Sequence, residues 1–293
     1  MPGRGTKLLL FLPLAVLAAD LNPDAPRPAP QPEAVREFLT LTCSSRIVAS
    51  SCARCPDFTT YPRGTSAQTW DVAAVHYGHF TDPSADQALV AMKGCEPHAN
   101  DWGGTMLFTR SHGQWKFDRY TGGLITDDCI SFRRDGGLDL LVCASSGGWQ
   151  GGWTRTIYPV DPLRFEDPME PPLLVLTDTT GACGNVWPGV RYQKAAFRSI
   201  AADPAKGEIR AQVEFGIRTM TKADLVASCV RGPGVFEPAT KTYVVRFVFD
   251  GTEFHIAPES VAAKRTVEAL GGQPSPISGA VDSPHQLDGR LGH

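Results

Sequence analysis

The feature that most constrains the fold of this chain is a pattern of apolar runs and turns that recurs three times. In each copy an apolar residue precedes a turn containing Asp with Pro or Gly, and a second apolar run follows the turn. The copies lie at 80–90, 132–142 and 200–213. Short apolar runs separated by such turn residues are typical of antiparallel strands, and their recurrence predicts a repeated supersecondary unit.

A hairpin is predicted after each of these turns. The clearest follows Tyr243–Phe249, where Asp250-Gly251 begins the turn, and Asp-Gly beside an apolar run is a strong hairpin signal. We therefore predict a mainly β fold built from three imperfect four-stranded meander units in a propeller-like arrangement. A β-sandwich or an irregular barrel is the alternative. The units are placed near 71–124, 125–180 and 186–257, within a β domain at 57–257.

The first two repeats share a phenylalanine, Phe80 or Phe132, then an acidic turn and a following apolar run. The first reads Gly78-His-Phe-Thr-Asp82 and continues into Ala88-Leu-Val90, and the second reads Asp135-Gly-Gly-Leu-Asp139 and continues into Leu-Leu-Val. These stretches resemble the repeats of FG-GAP and VCBS-type β-propeller proteins. The resemblance implies a propeller fold, and in that family the turn often binds calcium through alternating acidic side chains.

The calcium ligands of that family are mostly missing from this chain. Two and four residues before Asp135 stand Arg133 and Ser131, and the corresponding positions before Asp82 are Phe80 and Gly78. Calcium takes about six oxygen ligands or more. We therefore predict no cofactor, with bound calcium as the disfavoured alternative, and we expect the Asp side chains to close the turns through hydrogen bonds to the nearby backbone.

The N-terminal residues 1–18 are typical of a secretory signal. Arg4 and Lys7 precede an apolar run at 8–17, which is shorter than the roughly 20 residues that span a bilayer. Small side chains at Val16 and Ala18 predict cleavage after Ala18. The mature protein is then expected to be secreted or periplasmic, without a membrane span, and to begin with a linker at 19–31.

Helices are predicted at both ends of the β domain. Residues 32–56 are assigned to an N-terminal helix and a Cys-rich segment, because Val35, Phe38 and Leu39 have helical spacing after Pro32. A C-terminal helix is predicted at 258–272, with Ser260 as its N-terminal cap. Residues 273–293, rich in Gly, Pro and Ser, are predicted to be a disordered tail.

The chain has an even number of cysteines, all downstream of the signal. In an exported protein such cysteines are most often disulfide-bonded. Two early groups each hold three of them, so at least one bridge is expected to join these groups. The candidates are Cys43, Cys52, Cys55, Cys95, Cys129, Cys143, Cys183 and Cys229.

No metal site is predicted. Cys52-Ala-Arg-Cys55 has neither the βαβ setting of a thioredoxin-like site nor the His that follows a haem-binding pair, and no second pair stands at zinc-ligand spacing. We interpret both cysteines as structural. His76 and His79 would point to opposite faces of a strand.

Composition and charge argue against nucleic acid as a partner. With 42% hydrophobic and 20% charged residues the chain is globular in type. Loss of Arg4 and Lys7 with the signal would take the formal charge from −3 to −5, and no basic stripe is present. Binding to nucleic acid is therefore excluded as a prediction.

The stretch Ser145–Trp153, rich in Gly, Ser and Trp, is the strongest candidate for ligand contact. It fits neither a nucleophile elbow nor a phosphate-binding loop, so we predict a hairpin loop. Indoles in loops can stack on sugar rings or anchor a protein partner. The ligand-binding candidates are Trp102, Trp149, Trp153 and Trp187, whereas Trp70 and Trp115 are predicted to lie in the core.

No catalytic residue is assigned from the sequence. We predict a binding or scaffold module that contacts a glycan or a protein, with a secreted carbohydrate-active hydrolase as the alternative. Hydrolysis would require two carboxylates facing one cleft, and the candidates for such a pair are Asp101, Asp127, Asp128 and Asp178.

Overall fold

A computed structural model describes residues 19–24, 29–43, 45–59, 69–95, 103–149, 152–164, 171–181, 191–231 and 237–268. Within these ranges the protein is mainly β, with three antiparallel sheets and a few short helices. Each sheet contains four consecutive strands that pair as neighbours, which confirms the mainly β fold with four-stranded meanders.

The first sheet has six strands in chain order. Its last four strands form the meander, and two short strands extend it at the N-terminal edge. The strands are β2 Ile47–Val48, β3 Ser51–Cys52, β4 Trp70–Gly78, β5 Gln87–Lys93, β6 Gly104–Ser111 and β7 Gln114–Gly122.

The second and third sheets complete the stack. The second has four strands, which are β8 Cys129–Arg133, β9 Asp139–Trp149, β10 Gly152–Val160 and β11 Leu174–Asp178. The third has β12 Arg191–Asp203, β13 Glu208–Thr219, β14 Lys241–Phe249 and β15 Phe254–Ile256, with β1 Ala19–Asp20 paired to its β12 edge.

The second sheet is the middle layer, because both of its faces are buried. On β9 Leu141 and Cys143 pack with residues of the first sheet, whereas Val142 and Ala144 pack with residues of the third. Successive strand residues point to opposite faces, so a strand between two layers must be apolar at every position. This explains the unbroken apolar run of β9.

Helix α1, Pro32–Thr42, covers the outer face of the first sheet. Its buried face consists of Val35, Phe38, Leu39 and Thr42, and the first three of these were predicted from the sequence. The ring centroid of Phe38 lies 4.8 Å from that of Phe108 on β6. The helix therefore shields an apolar sheet face that would otherwise contact water.

Two further helices lie near the third sheet in the chain. Helix α2, Lys222–Arg231, connects β13 to β14 and was not predicted. Helix α3, Val261–Val267, follows a short 3₁₀ turn at Pro258–Ser260, in the predicted region. Ser260 does not cap it by a side-chain hydrogen bond, because its hydroxyl accepts the backbone N–H of Arg246 at 3.0 Å.

The segment predicted as a linker at 19–31 differs from that prediction at its start. Ala19 and Asp20 form β1, and Leu21 is buried in the core between the second and third sheets. The N–H of Leu21 donates to the carbonyl of Ile200 at 2.8 Å. Ala19 and Asp20 therefore extend the third sheet at its β12 edge, and Leu21 adds to the core.

Three disulfides cross-link the described residues, namely Cys43–Cys52, Cys55–Cys95 and Cys129–Cys143. Cys52 and Cys55 thus bond to different partners rather than to each other. The bridge between Cys55 and Cys95 joins the two early cysteine groups, as predicted. Cys183 lies outside the described residues, and of Cys229 only the backbone, in α2, is described.

Disulfides of this kind persist in oxidising compartments. The described helices include none that is long and apolar enough to cross a bilayer.

Candidate functional site

The Ser145–Trp153 stretch forms the paired ends of β9 and β10 rather than a loop. Trp149 pairs with Gly152, and Gly148 pairs with Trp153. The connecting residues 150–151 lie outside the described ranges. Pairing with β10, which is itself paired with β11, holds this Gly-rich chain extended.

Of the four predicted ligand-binding tryptophans, the structure describes the side chain of Trp153 alone. The indole of Trp153 is 48% exposed. Trp149 is placed by its backbone at the end of β9, while Trp102 and Trp187 lie outside the described residues. Their convergence on one surface stays a prediction.

The six-membered ring of Trp153 lies beside its cross-strand neighbour Gly148. A methyl group built on Gly148 would meet three carbon atoms of this ring at 3.5–3.6 Å, which is van der Waals distance. Cross-strand neighbours on one face of a sheet are close enough for such contacts. Gly148 therefore borders the ring on one side, while 48% of Trp153 stays exposed.

Asp178 is the cross-strand neighbour of Trp153 on β11. Its carboxylate is buried and accepts hydrogen bonds from the Thr180 backbone N–H at 2.9 Å, the Thr180 hydroxyl at 2.6 Å and the Ala195 N–H at 3.4 Å. These donors satisfy a charge that burial would otherwise penalise. Asp178 therefore fastens the end of β11 to β12.

An ion pair lies two residues along β10 on the same strand face as Trp153. The Nε of Arg155 donates to a carboxylate oxygen of Asp24 at 2.6 Å, and its Nη1 donates to the Ala195 carbonyl at 3.1 Å. Arg155 is mostly buried, while Asp24 is 39% exposed. The N-terminal segment thus brings the partly exposed carboxylate of Asp24 to Arg155, two residues from Trp153.

The neighbouring edge of β12 is also polar. Gln193 is buried and donates through Nε2 to the Thr177 carbonyl at 2.6 Å. Lys194 donates to Glu237 at 2.8 Å, and this carboxylate raises the pKa of the Lys194 ammonium. The end of the second and third sheets therefore combines an exposed indole with polar and charged groups held in fixed positions.

The carboxylates proposed for a hydrolase do not converge within the described residues. Asp127 and Asp128 precede β8 and lie near Tyr158, which packs in the core between the first and second sheets. Trp153, Ile157 and Asp178 belong to the opposite face of the second sheet, towards the third. Asp101 lies outside the described residues.

The pocket of Tyr158 is structural in character. Its hydroxyl donates to the Ile125 carbonyl at 2.6 Å. Burial raises the pKa of the Tyr158 phenol, and the charges of Asp127 and Asp128 raise it further. Asp127 itself pairs with Lys93 at 3.0 Å. A phenol held neutral in this way supports packing rather than proton transfer near neutral pH.

The acidic turns of the repeats are closed by internal hydrogen bonds. Asp82 accepts the Ser84 backbone N–H at 2.8 Å and the Ser84 hydroxyl at 2.7 Å. Asp139 accepts the His79 N–H at 2.7 Å and pairs with Arg133 at 2.9 Å. In the part of the chain that the structure describes, no group of His, Cys, Asp or Glu is arranged to hold a metal ion.

Arg155 and Asp24, which lie near Trp153, were not identified from the sequence. Trp153, Arg155 and Ile157 alternate along β10, and this period of two indicates a shared strand face. The pattern was present in the sequence, but the Gly-rich context favoured a loop. Asp24 carried no such signal, because its contact with Arg155 joins residues far apart in the chain.

Trp70 and Trp115 were both predicted to lie in the core. Trp70 is fully buried, as predicted. Trp115 is half-buried at the surface of the first sheet, where it packs against Phe38.

Comparisons with known proteins leave the site to be interpreted from its geometry. A scan against protein-family models finds none that matches this chain, and a search of the curated proteins finds no match either. The likeness of two repeats to FG-GAP and VCBS-type blades therefore stays a prediction.

Proposed function

We propose that this protein is an exported, disulfide-bonded binding module that contacts glycans through the tryptophan row of the second sheet. The row consists of Gly148, Trp153 and Asp178, with Arg155 and Asp24 beside it. The single observation that carries the proposal is the half-exposed indole of Trp153, supported from one side by Gly148.

The contact of Trp153 with Gly148 favours binding of a flat apolar surface to the exposed part of the ring. An aromatic side chain that is already positioned loses little conformational freedom on binding, and a sugar ring offers an apolar face of matching size. The ring sits in a paired strand rather than in a free loop. The site is thus organised before any ligand arrives.

Polar groups near the row can receive sugar hydroxyls. Asp24 is partly exposed, and the bond to Arg155 fixes its orientation. Asp178 is already saturated by Thr180 and Ala195, so its role is to hold the scaffold. One stacking ring beside one oriented carboxylate predicts weak, glycan-selective binding, which repetition along a polymer would strengthen.

A glycan array probed with the mature protein tests the proposal. We expect binding to a subset of neutral or weakly charged glycans. Trp153→Ala should weaken it at least about 10-fold, as loss of an aromatic contact at the centre of a site does. Trp153→Phe should weaken it less, because a smaller ring keeps part of the stacking area.

The matched control is Val248→Ala, an exposed apolar side chain on β14 that should leave binding unchanged. Equal binding by Trp153→Ala and the unmodified protein would refute the proposal. Release of sugar products, abolished by Asp127→Asn, would instead identify a hydrolase. A protein that co-purifies and is lost with Trp153→Ala would identify a protein-binding role.

A further inference from the structure

A second aromatic surface lies on the outer face of the first sheet, beside helix α1. Tyr77 on β4 and Trp115 on β7 have ring centroids 6.0 Å apart, with their planes inclined by 37°. Phe38 of α1 lies behind both, at 6.4 Å from Tyr77 and 5.3 Å from Trp115. We call Tyr77 and Trp115 the aromatic ledge.

The strand pairing explains how these rings meet. Tyr77 begins a row that crosses the sheet through Ala88 and Phe108 to Phe117. Trp115 precedes Phe117 by two residues and so shares its face. Because Ala88 is small, it leaves space on this face for the larger side chains of the strands on either side of it.

The ledge is accessible, although it is anchored in the core. Tyr77 is 60% exposed, the largest exposed fraction among the described aromatic side chains. Trp115 is half-buried, and Phe38 beneath it is buried. A large exposed aromatic side chain is costly to hydrate and is a common sign of a contact surface.

A guanidinium group borders the ledge. The Cζ of Arg110 lies 5.7 Å from the centroid of the Trp115 ring, and its Nε donates to the Gly113 carbonyl at 3.3 Å. The backbone carbonyl of Asp86 accepts the backbone N–H of Arg110 at 2.8 Å, but in the described part of the chain no carboxylate pairs with the guanidinium. Its two terminal nitrogens are therefore placed to bind an anion in a bidentate manner.

We propose that the aromatic ledge and Arg110 bind an acidic sugar unit, such as a uronic acid in a polysaccharide. The sugar ring would stack on Tyr77 and Trp115, and its carboxylate would pair with Arg110. One positive charge beside two rings matches one negative charge on a ring-shaped ligand. A membrane surface would require several clustered cations, and here one guanidinium borders the ledge.

This site is separate from the tryptophan row. Tyr77 is close in sequence to His79, whose N–H bonds to Asp139 at the start of β9. Trp153 pairs near the opposite end of this strand, which has 11 residues and is about 33 Å long. A long polysaccharide could engage both ends, but the inference does not depend on binding at Trp153.

Isothermal titration of the full-length mature protein with oligogalacturonate tests the inference, with a cello-oligosaccharide of equal length as the neutral probe. We expect Arg110→Gln to weaken oligogalacturonate binding about 10-fold or more, because a charge-assisted contact is lost. Tyr77→Ala should weaken it about 5-fold through lost stacking. Arg110→Lys should give an intermediate loss, because it keeps the charge without the fork.

The control variant is Leu41→Ala, an exposed residue of α1, which should keep the wild-type affinity for oligogalacturonate. Tyr77 and Arg110 lie at the surface, and thermal melting will show whether their variants remain folded. The inference is overturned if wild-type protein shows no binding at millimolar oligogalacturonate, if Arg110→Gln binds equally well, or if the neutral probe binds Trp153→Ala protein as tightly as oligogalacturonate does. Loss of binding with Trp153→Ala alone would assign the acidic ligand to the tryptophan row instead.

Discussion

The first and third sheets form the two outer layers of the same stack, yet they solve the problem of their outer faces differently. The first sheet carries apolar and aromatic side chains outwards, is covered by α1, and is tied by the bridges Cys43–Cys52 and Cys55–Cys95. The third sheet carries charges outwards, and among its described residues none is disulfide-bonded.

The pattern along β13 accounts for the polar outer face of the third sheet. Its buried residues alternate with Glu208, Arg210, Gln212 and Glu214, which face outwards. Arg198 pairs with Glu214 at 3.0 Å, and Arg246 pairs with Glu208 at 3.5 Å. Surface ion pairs of this kind contribute about 1 kcal/mol or less each. The comparison predicts that cross-links and aromatic packing matter most in the first sheet, and small electrostatic effects in the third.

Removal of one disulfide should give the largest effect. The bridge between Cys55 and Cys95 closes a separation of 40 residues, for which loop-closure entropy estimates about 4 kcal/mol of stabilisation. We expect the double replacement Cys55→Ser with Cys95→Ser to lower the free energy of unfolding by about that amount, measured by urea denaturation. Hydrogen exchange should accelerate in the first sheet before the third.

The shorter bridge supplies the comparison for this experiment. Cys43 and Cys52 are separated by 9 residues, so the same estimate gives about 2.5 kcal/mol. A larger loss from Cys43 and Cys52 than from Cys55 and Cys95 would show that local packing, not chain entropy, dominates.

Chelation is expected to leave stability unchanged, and a fall in melting temperature with EDTA would contradict the expected lack of calcium.

Truncation of the buried Phe38 side chain on α1 should give the second largest loss of stability. Phe38 is buried against Phe108 and Trp115, so Phe38→Ala removes a ring from the core and is expected to cost about 3 kcal/mol. Leu41→Ala on the same helix removes an exposed side chain and should change stability by less than about 0.5 kcal/mol. Similar losses for the two variants would mean that α1 does not shield the sheet as described.

A charge in the third sheet should have the smallest effect, and it should depend on pH. Backbone N–H groups of Glu253 and Thr252, together with His255, lower the pKa of Asp250 from 3.8 to about 2. A lowered folded-state pKa stabilises the protein above the unfolded pKa, and this contribution is lost as the pH falls from about 4 to about 2. Asp250→Asn should therefore melt slightly lower than wild type at neutral pH.

The difference between Asp250→Asn and wild type should shrink as the pH falls below about 4. Melting curves followed by circular dichroism measure this directly. Asparagine can still accept the turn hydrogen bonds, so the comparison isolates the charge. A difference that widens on acidification would contradict the assigned cause.

Much of the fold could be predicted from local pattern. The Asp-Gly turn after Phe249 and the helical spacing of Val35, Phe38 and Leu39 each carry their signal within a few residues. Helix α2 was missed because its exposed Val226 and Val230 do not mark a buried stripe. The start of the linker at 19–31 was wrong because Leu21 gains its partners from β12, far along the chain.

The candidate sites depended more on pairing than on motif. The sequence singled out Trp153 by its unusual neighbours, but its support by Gly148 follows from the register of β9 and β10. Trp115 was assigned to the core from the sequence, whereas its approach to Tyr77 requires four strands to be aligned. Strand register is set over long separations, so a single local pattern carries little of it.

The sequence by itself determined the strand-rich character, the helical cover of α1 and the pairing capacity of the cysteines, because these depend on residue type and short spacing. Only the tertiary structure decided that the second sheet is buried on both faces, and that Asp127 lies near Tyr158 whereas Asp178 pairs with Trp153. It also decided that Tyr77 and Trp115 meet beside Arg110. These outcomes arise from how whole sheets stack, and stacking is fixed by the combined burial of many side chains distant in the chain.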